Sequence, residues 1–199
     1  MGKTRLEAFS DGVIAIIITI MVLELKAPQG HDLDALRSVL PTFLSYVLSF
    51  FYVGIYWSNH HHVFLAVQRI NGATLWANLH LLFWLSLIPF VTWWMGESHF
   101  STWPVAAYGV IMLLASIAWE IERRVLLGLH EKDSVLAKAV SGGFKEVIST
   151  TIYVVAIGAA FLNTWVACFL YLLVAAIWLV PDRRIERLIG TETVDDSGT

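Results

Sequence analysis

The sequence predicts an all-α integral membrane protein with six transmembrane helices, and three observations support that prediction. Hydrophobic residues make up 57% of the 199 residues. Charged residues make up 15%, well below the roughly 25% of ordinary soluble domains. The charged residues lie mainly between long apolar segments, which are too long for strands and lack the alternation of about ten residues that is typical of membrane barrels.

Six segments are long or apolar enough to be considered as membrane spans. A helix needs about 20 apolar residues to cross a hydrocarbon core of about 30 Å. The predicted spans lie at about residues 6–25, 41–67, 73–95, 102–127, 147–162 and 164–180. Asp32 and Asp34 are capping candidates for an amphipathic lead-in to the second span. Only Asn163 and Thr164 join the two short last spans, which predicts a tight helical hairpin.

The placement of lysine and arginine predicts the orientation, because cytoplasmic loops carry an excess of these residues. With the N-terminus inside, eleven of them lie on the inner side and only Lys26 and Arg37 lie on the outer side. An even number of spans then leaves both termini in the cytoplasm. The inner group comprises Lys3, Arg5, Arg69, Arg123, Arg124, Lys132, Lys138, Lys145, Arg183, Arg184 and Arg187.

The first predicted helix carries a regular apolar pattern. Phe9, Gly12, Ile16, Thr19 and Leu23 are spaced 3, 4, 3 and 4 residues apart and share one narrow face, which we call the first-helix stripe. One interpretation is a packing seam, since this spacing is common in helix bundles. The other is the wall of a narrow pore built from several subunits, in which an apolar constriction gates by dewetting and Thr19 offers a hydroxyl to a passing cation.

Polar residues on the back of the same helix predict a structural network. Ser10 and Asp11 point roughly 120° and 140° away from Ile16, on opposite flanks. Buried polar groups need hydrogen-bond partners, and the inner ends of the second and third spans supply them. The predicted network comprises Arg5, Ser10, Asp11, His60, Trp76 and Asn78.

Three acids near helix ends have local interpretations. Glu24 lies at the outer end of the first helix, where it either concentrates cations at a pore mouth or is a solvated helix end. Glu120 and Glu122 are expected to pair with Arg123 and Arg124 at the inner end of the fourth span.

The run His60, His61 and His62 invites a metal or haem interpretation. Adjacent helical residues diverge by about 100°, so the three side chains are not expected to face one ion; His80 is the nearest further histidine in sequence. Protonation of His60 would make the network sensitive to pH. Two alternative functions follow: a proton channel or carrier that uses Asp11 and His60, and a histidine-centred metal-binding protein or enzyme.

The sequence lacks the motifs of several other functional classes, so neither an enzyme activity nor a cofactor is expected. It has no glycine-rich phosphate loop, nucleophile elbow, arginine-repeat voltage sensor or Thr-Val-Gly-Tyr-Gly filter. Its single cysteine, Cys168, excludes a disulfide framework. Six helices, two of them short, hardly enclose a pathway alone, which predicts an oligomer.

Several motifs resemble one known family. The pattern Arg5-x-x-x-Phe9-Ser10-Asp11 before an isoleucine-rich helix is similar to the R-x-x-x-F-S-D signature of the transmembrane protein 175 family of potassium channels. The chain resembles the bacterial and archaeal members, which have one six-helix unit, and the resemblance is strongest over the first three helices. Further similar features are Ser49-Phe50, Trp57-x-x-His60, Phe64, Asn78 and Leu87-Ile88-Pro89-Phe90-Val91-Thr92.

The resemblance implies a homotetramer in which the first helix of each subunit lines a central, potassium-selective pore without a filter loop. It implies a constriction at Ile16, followed along the pore by Thr19 and Leu23, with Gly12 also on the pore side. Potassium would pass near Thr19 without any resident metal. The residues implied to hold the pore helix are Arg5, Phe9, Ser10, Asp11, His60, Trp76 and Asn78.

The resemblance also implies the surroundings of the protein. As a prokaryotic-type chain it is expected in the plasma (inner) membrane, with copies of itself, bilayer lipids and monovalent cations as partners and without nucleic acid. Residues 1–190 would form one six-helix channel domain, and the small acidic segment 191–199 is predicted to be a disordered tail. No role is implied for His61 and His62.

Overall fold

A computed structural model describes residues 2–131, 133–140 and 143–179, and all regular secondary structure in these ranges is α-helical. The helices are α1 (Lys3–Leu23), α2 (Leu33–Ala66), α3 (Gly72–Ser86), α4 (Ile88–Glu97), α5 (Thr102–Gly128), α6 (Val135–Val140), α7 (Phe144–Ala160) and α8 (Thr164–Leu179). The all-helical prediction is therefore confirmed for the described residues. The predicted tail 191–199 lies outside them.

Four of the predicted spans have the length and apolarity needed to cross a membrane. They are Lys3–Leu23, Leu33–Ala66, Gly72–Glu97 and Thr102–Gly128. The fifth and sixth predicted spans correspond to α7, with 17 residues, and α8, with 16. Within the described residues, both are shorter than the roughly 20 residues that a straight crossing requires. The chain is thus a multi-pass membrane protein, and the described residues contain four span candidates and two further apolar helices.

The second helix begins about eight residues before the predicted start of its span. Asp32 caps it, because its Oδ1 atom accepts a hydrogen bond of 2.9 Å from the backbone N–H of Ala35. Asp34, the other capping candidate, instead pairs with Arg37 at 3.0 Å. The amphipathic lead-in is therefore continuous with the span, and α2 runs through Pro41 without ending there.

The third predicted span is broken into two helices at Leu87. Pro89 has no N–H to offer to the carbonyl four residues earlier, so an uninterrupted ladder is not available. The N–H of Leu87 donates to the carbonyl of Trp84 at 3.2 Å, which tightens the last turn of α3. The next helix then restarts with Pro89 in its first turn, where the missing N–H is tolerated.

The helices are arranged around α5, which packs against α3, α4, α7 and α8. Buried tyrosines fill the interior beside it, with ring centroids 5.4–6.4 Å apart among Tyr52, Tyr108, Tyr153 and Tyr171. A cavity of about 30 Å³ remains nearby, enough for a water molecule. In contrast, α1 lies at the periphery and packs against α2, α3 and α4.

Gly96 marks a close approach between α4 and α2. A Cβ atom at Gly96 would lie 2.5 Å from the Cα atom of Thr42 and 2.6 Å from the Oγ atom of Ser45. We expect Gly96→Ala to lower the free energy of unfolding by about 1–3 kcal/mol, because the two helix backbones must separate. Thermal unfolding in detergent, followed by circular dichroism, measures the change.

Gly54 provides the matched control for this prediction. It also lies inside a long helix, but a Cβ atom there would have no atom of the described residues within 4 Å outside its own helix backbone and chain neighbours. Gly54→Ala is therefore expected to be neutral or to stabilise the protein by up to about 1 kcal/mol. Equal destabilisation by the two substitutions would contradict the close-packing explanation.

Candidate pore helix and its anchor cluster

The two faces of α1 differ in exposure. The residues Leu6, Ser10, Ile14, Ile17 and Met21 are buried against the rest of the chain. The opposite face is the first-helix stripe, in which Ile16 is 58% and Leu23 is 78% exposed, and Phe9, Gly12 and Thr19 are exposed as well. One chain therefore leaves the whole stripe uncovered, although most of it is apolar.

The Thr19 hydroxyl on this stripe is oriented by its own helix. Its Oγ1 atom donates a hydrogen bond of 2.9 Å to the carbonyl of Ile16. Because the hydroxyl proton is used in this bond, the oxygen keeps its lone pairs for an acceptor role toward solvent or a cation. Glu24 follows as the C-cap of α1, where it borders a cleft of about 610 Å³ formed with Trp93 and other residues of α4.

The back of α1 is tied to α3 and α2 by three buried polar residues, Ser10, His60 and Asn78, which we call the anchor cluster. The Nδ2 atom of Asn78 donates to the Oγ atom of Ser10 at 3.0 Å. That hydroxyl donates onward to the carbonyl of Leu6 at 2.9 Å. The Oδ1 atom of Asn78 lies 3.0 Å from the Nε2 atom of His60, so Nε2 carries the proton and donates it.

The anchor cluster is closed to solvent. Ser10 and Asn78 have no exposed surface, and His60 is 2% exposed. The His60 ring also stacks on Phe64 with a centroid distance of 4.3 Å. Hydrogen bonds in such an environment are costly to break, since a buried group that loses its partner is not rehydrated. The cluster therefore fixes the rotation of α1 relative to α2 and α3.

Three other residues of the predicted network lie outside the anchor cluster in the single chain. Asp11 accepts a hydrogen bond of 3.0 Å from the Nε1 atom of Trp57, a residue that was not part of the predicted network. Trp76 is 76% exposed, and Arg5 is also exposed. The physical reason for the divergence of Asp11 is the 100° rotation between it and the neighbouring Ser10, which sends the two side chains to different neighbours.

The three consecutive histidines point in different directions, as their spacing predicts. His61 stacks on Trp57 with centroids 6.2 Å apart, and the Nδ1 atom of His62 lies 2.6 Å from the carbonyl oxygen of Ser58. Only His60 enters the anchor cluster. Within residues 2–131, 133–140 and 143–179, no group of three or more His, Cys, Asp or Glu side chains is arranged to hold a metal ion.

The prediction that Glu120 and Glu122 both pair locally is wrong for Glu122. Glu120 does pair with Arg123 and Arg124, at 2.6 Å in each case. Glu122 is 1% exposed, and among the described residues neither of its carboxylate oxygens has a hydrogen-bond partner. The missed signal is helical spacing, because Glu122 follows Ala115, Ala118 and Trp119 on the buried face of α5.

Comparison with known proteins identifies relatives of the whole chain. A family profile described as the endosomal/lysosomal potassium channel TMEM175 matches residues 5–89. A protein named as a potassium channel from Chryseobacterium is 54% identical over 94% of this chain and 97% of its own length. The human endosomal/lysosomal proton channel TMEM175 is 30% identical over 74% of this chain and 32% of its own length.

A solved structure shows the same fold. The crystal structure of a lysosomal potassium-selective channel TMEM175 homolog from Chamaesiphon minutus superimposes with a TM-score of 0.77, at 28% sequence identity. The superposition covers 89% of this chain and 96% of that one. The resemblance found in the sequence signature is thus confirmed over nearly the full length, and the chain belongs to the TMEM175 family of membrane channels.

Proposed function

We propose that this protein is a passive potassium-selective channel in the plasma membrane, formed by four copies whose α1 helices line a central pore. The observation that carries this proposal is the exposure of the first-helix stripe on a helix whose other face is anchored by buried hydrogen bonds. Because α1 is held in one orientation and its stripe is exposed along its length, several copies of the chain can bring their stripes together to form the wall of a pore. The names of the bacterial relatives agree with potassium as the conducted ion.

The tightly packed interior of a single chain supports a pore that forms between several copies. Buried rings of Tyr52, Tyr108 and Tyr171 occupy the space beside α5. The described part of the bundle is consequently packed like a protein core, with little room for a hydrated cation. A pathway between copies uses the exposed surface of α1 and leaves that core intact.

In the proposed pore, Ile16 forms the constriction and Thr19 the next polar ring. Four isoleucine side chains around a narrow axis exclude water, and the pore conducts only when it widens enough to be hydrated. This mechanism is called gating by dewetting. The Thr19 oxygens one turn farther along replace part of the hydration shell of a passing cation. Glu24 at the outer end raises the local concentration of cations at the mouth.

A proton channel is the second candidate, and two observations favour it. The human relative carries that name. In addition, the chain has an ionisable side chain, His60, in the buried cluster that holds α1. In this alternative Asp11 and His60 would bind the transported protons.

Flux measurements on purified protein in sealed vesicles separate the two candidates. We expect an outward potassium gradient to dissipate through the protein, with rubidium and caesium also passing and sodium passing more slowly. Protein-free vesicles serve as the control. Proton flux without potassium, rubidium or caesium flux would overturn the proposed function and support the second candidate. Chemical cross-linking of the reconstituted protein tests the tetramer independently.

A further inference from the structure

Glu122 is a buried acid that the proposed conduction mechanism does not use. It lies on α5 near the predicted inner end of that span and is 1% exposed, and the part of the chain that the structure describes gives neither carboxylate oxygen a hydrogen-bond partner. An ionised carboxylate without partners is strongly disfavoured in an apolar environment. The negative charge of Glu122 must therefore be neutralised or balanced in this position. The simplest way to neutralise it is to bind a proton.

The neighbour of Glu122 is the anchor cluster. The Oε1 atom of Glu122 lies 3.8 Å from the Nε2 atom of His60. This distance is too long for a hydrogen bond, but it exceeds the usual upper limit by less than about 1 Å. The same Nε2 atom donates to Asn78 at 3.0 Å, and Asn78 in turn holds Ser10 on α1. The His60 N–H therefore has two acceptors nearby, the amide oxygen of Asn78 and the carboxyl group of Glu122.

We propose that Glu122 is a proton-binding site that controls the anchoring of the pore helix through His60. With a proton on Glu122, the His60 N–H stays on Asn78, and the anchor cluster is complete. Loss of that proton creates a charged acceptor, which forms hydrogen bonds roughly twice as strong as a neutral one. His60 then turns toward Glu122, Asn78 loses one partner, and the hold on Ser10 weakens.

Several other charged and titratable groups on the neighbouring helices bind partners of their own. On α5, Glu120 binds Arg123 and Arg124. On α1, Asp11 binds Trp57, and on α3, His80 accepts from Trp84. The remaining groups whose side chains the structure describes on these helices are Lys3, Arg5 and Glu7 on α1, Asp34, Arg37, Tyr46, Tyr52, Tyr56, His61 and His62 on α2, Glu97 on α4, Tyr108 on α5, Lys145, Glu146 and Tyr153 on α7, and Cys168 and Tyr171 on α8. Glu122 and His60 form the closest acid–histidine contact found among the described residues.

Infrared spectroscopy tests the proton site without requiring conduction. Difference spectra of the vesicle-reconstituted full chain, recorded from about pH 5 to pH 10 so that the range extends past the pKa values of about 8–9 known for buried glutamates, should show the C=O band of a protonated carboxylic acid. We expect Glu122→Gln to remove this band and Glu120→Gln, the matched control two residues away, to retain it. Wild-type protein labelled with ¹³C-glutamate assigns the band to a glutamate even if Glu122→Gln fails to fold. Absence of the band from wild type, or its persistence in folded Glu122→Gln, would overturn the proton site.

Potassium flux then tests the coupling, and this step rests on the proposed function. We expect wild type and Glu120→Gln to change flux by about fivefold or more between the ends of the pH range, the lower bound of ordinary coupling between sites. Folded Glu122→Gln should vary by less than about twofold, because its amide does not titrate. Equal pH dependence in both variants would overturn the coupling. Loss of potassium flux in every protein, with the infrared band intact, would instead contradict the proposed function.

Discussion

Replacing Ile16 by asparagine is expected to raise the ratio of sodium to potassium flux by about tenfold, a difference of ~1.4 kcal/mol between the two barriers. Ile16 is 58% exposed at the centre of the first-helix stripe, and in the proposed tetramer four copies of it form the constriction. An amide in place of the isoleucine hydrates the narrow segment, so a cation crosses it with more of its water shell. Discrimination against the more strongly hydrated sodium ion then falls.

Flux of sodium and potassium through the reconstituted variant, measured under matched gradients, gives the ratio directly. Ile117→Asn is the control, because Ile117 is 40% exposed in the middle of α5 and lies outside the proposed pore. It should leave the ratio unchanged, which separates a pore effect from the general cost of an amide on a membrane-facing helix. An Ile16→Asn channel with wild-type selectivity would remove Ile16 as the narrow point.

Replacing Asn78 by leucine is expected to weaken the hold on α1 and to reduce assembly. Asn78 has no exposed surface, and it bonds both Ser10 and His60. Leucine has a similar size but offers no polar atom, so the Oγ atom of Ser10 loses its amide donor and the Nε2–H of His60 loses its acceptor at 3.0 Å. Unsatisfied buried groups cost about 1–3 kcal/mol each, and we expect the melting temperature to fall by roughly 5–10 °C.

Asn59→Leu is the matched control for this experiment. Asn59 is a partly buried asparagine on α2 whose Nδ2 atom donates to the carbonyl of Ile55 within its own helix. Its replacement removes a hydrogen bond that does not join helices, so assembly should be retained. Melting curves and size-exclusion profiles of both variants give the comparison, and similar losses in the two would contradict the anchoring role of Asn78. A double-mutant cycle with Ser10→Ala then isolates the Ser10–Asn78 coupling.

Much of α1 could be predicted from the sequence, because its two faces follow from a fixed rotation of 100° per residue. That rotation separates Ser10 from Ile16, and the structure buries the former and exposes the latter. The break at Leu87 also had a local cause in Pro89, although the sequence prediction treated the third span as continuous. The early start of α2 had a local signal too, since Asp32 was identified as a capping candidate.

The contacts between distant segments could not be predicted in the same way. Asp11 bonds Trp57 rather than joining the anchor cluster, and Glu122 faces His60 rather than Arg123. Each outcome depends on how far one helix is rotated and shifted against another. Periodicity tells which side of its own helix a residue occupies, but it carries no information about the neighbouring helix on that side.

Composition, helical rotation and short motifs are local properties of a chain, so the membrane class, the helical fold, the stripe on α1 and the family signature could all be predicted from them. Which polar residues meet depends instead on how the helices pack. The tertiary structure brought together Ser10, Asn78 and His60 from three helices and added Glu122 from a fourth. The physical reason is that a buried polar group forms hydrogen bonds with the groups that packing places next to it. The packing of each helix depends in turn on all the other helices.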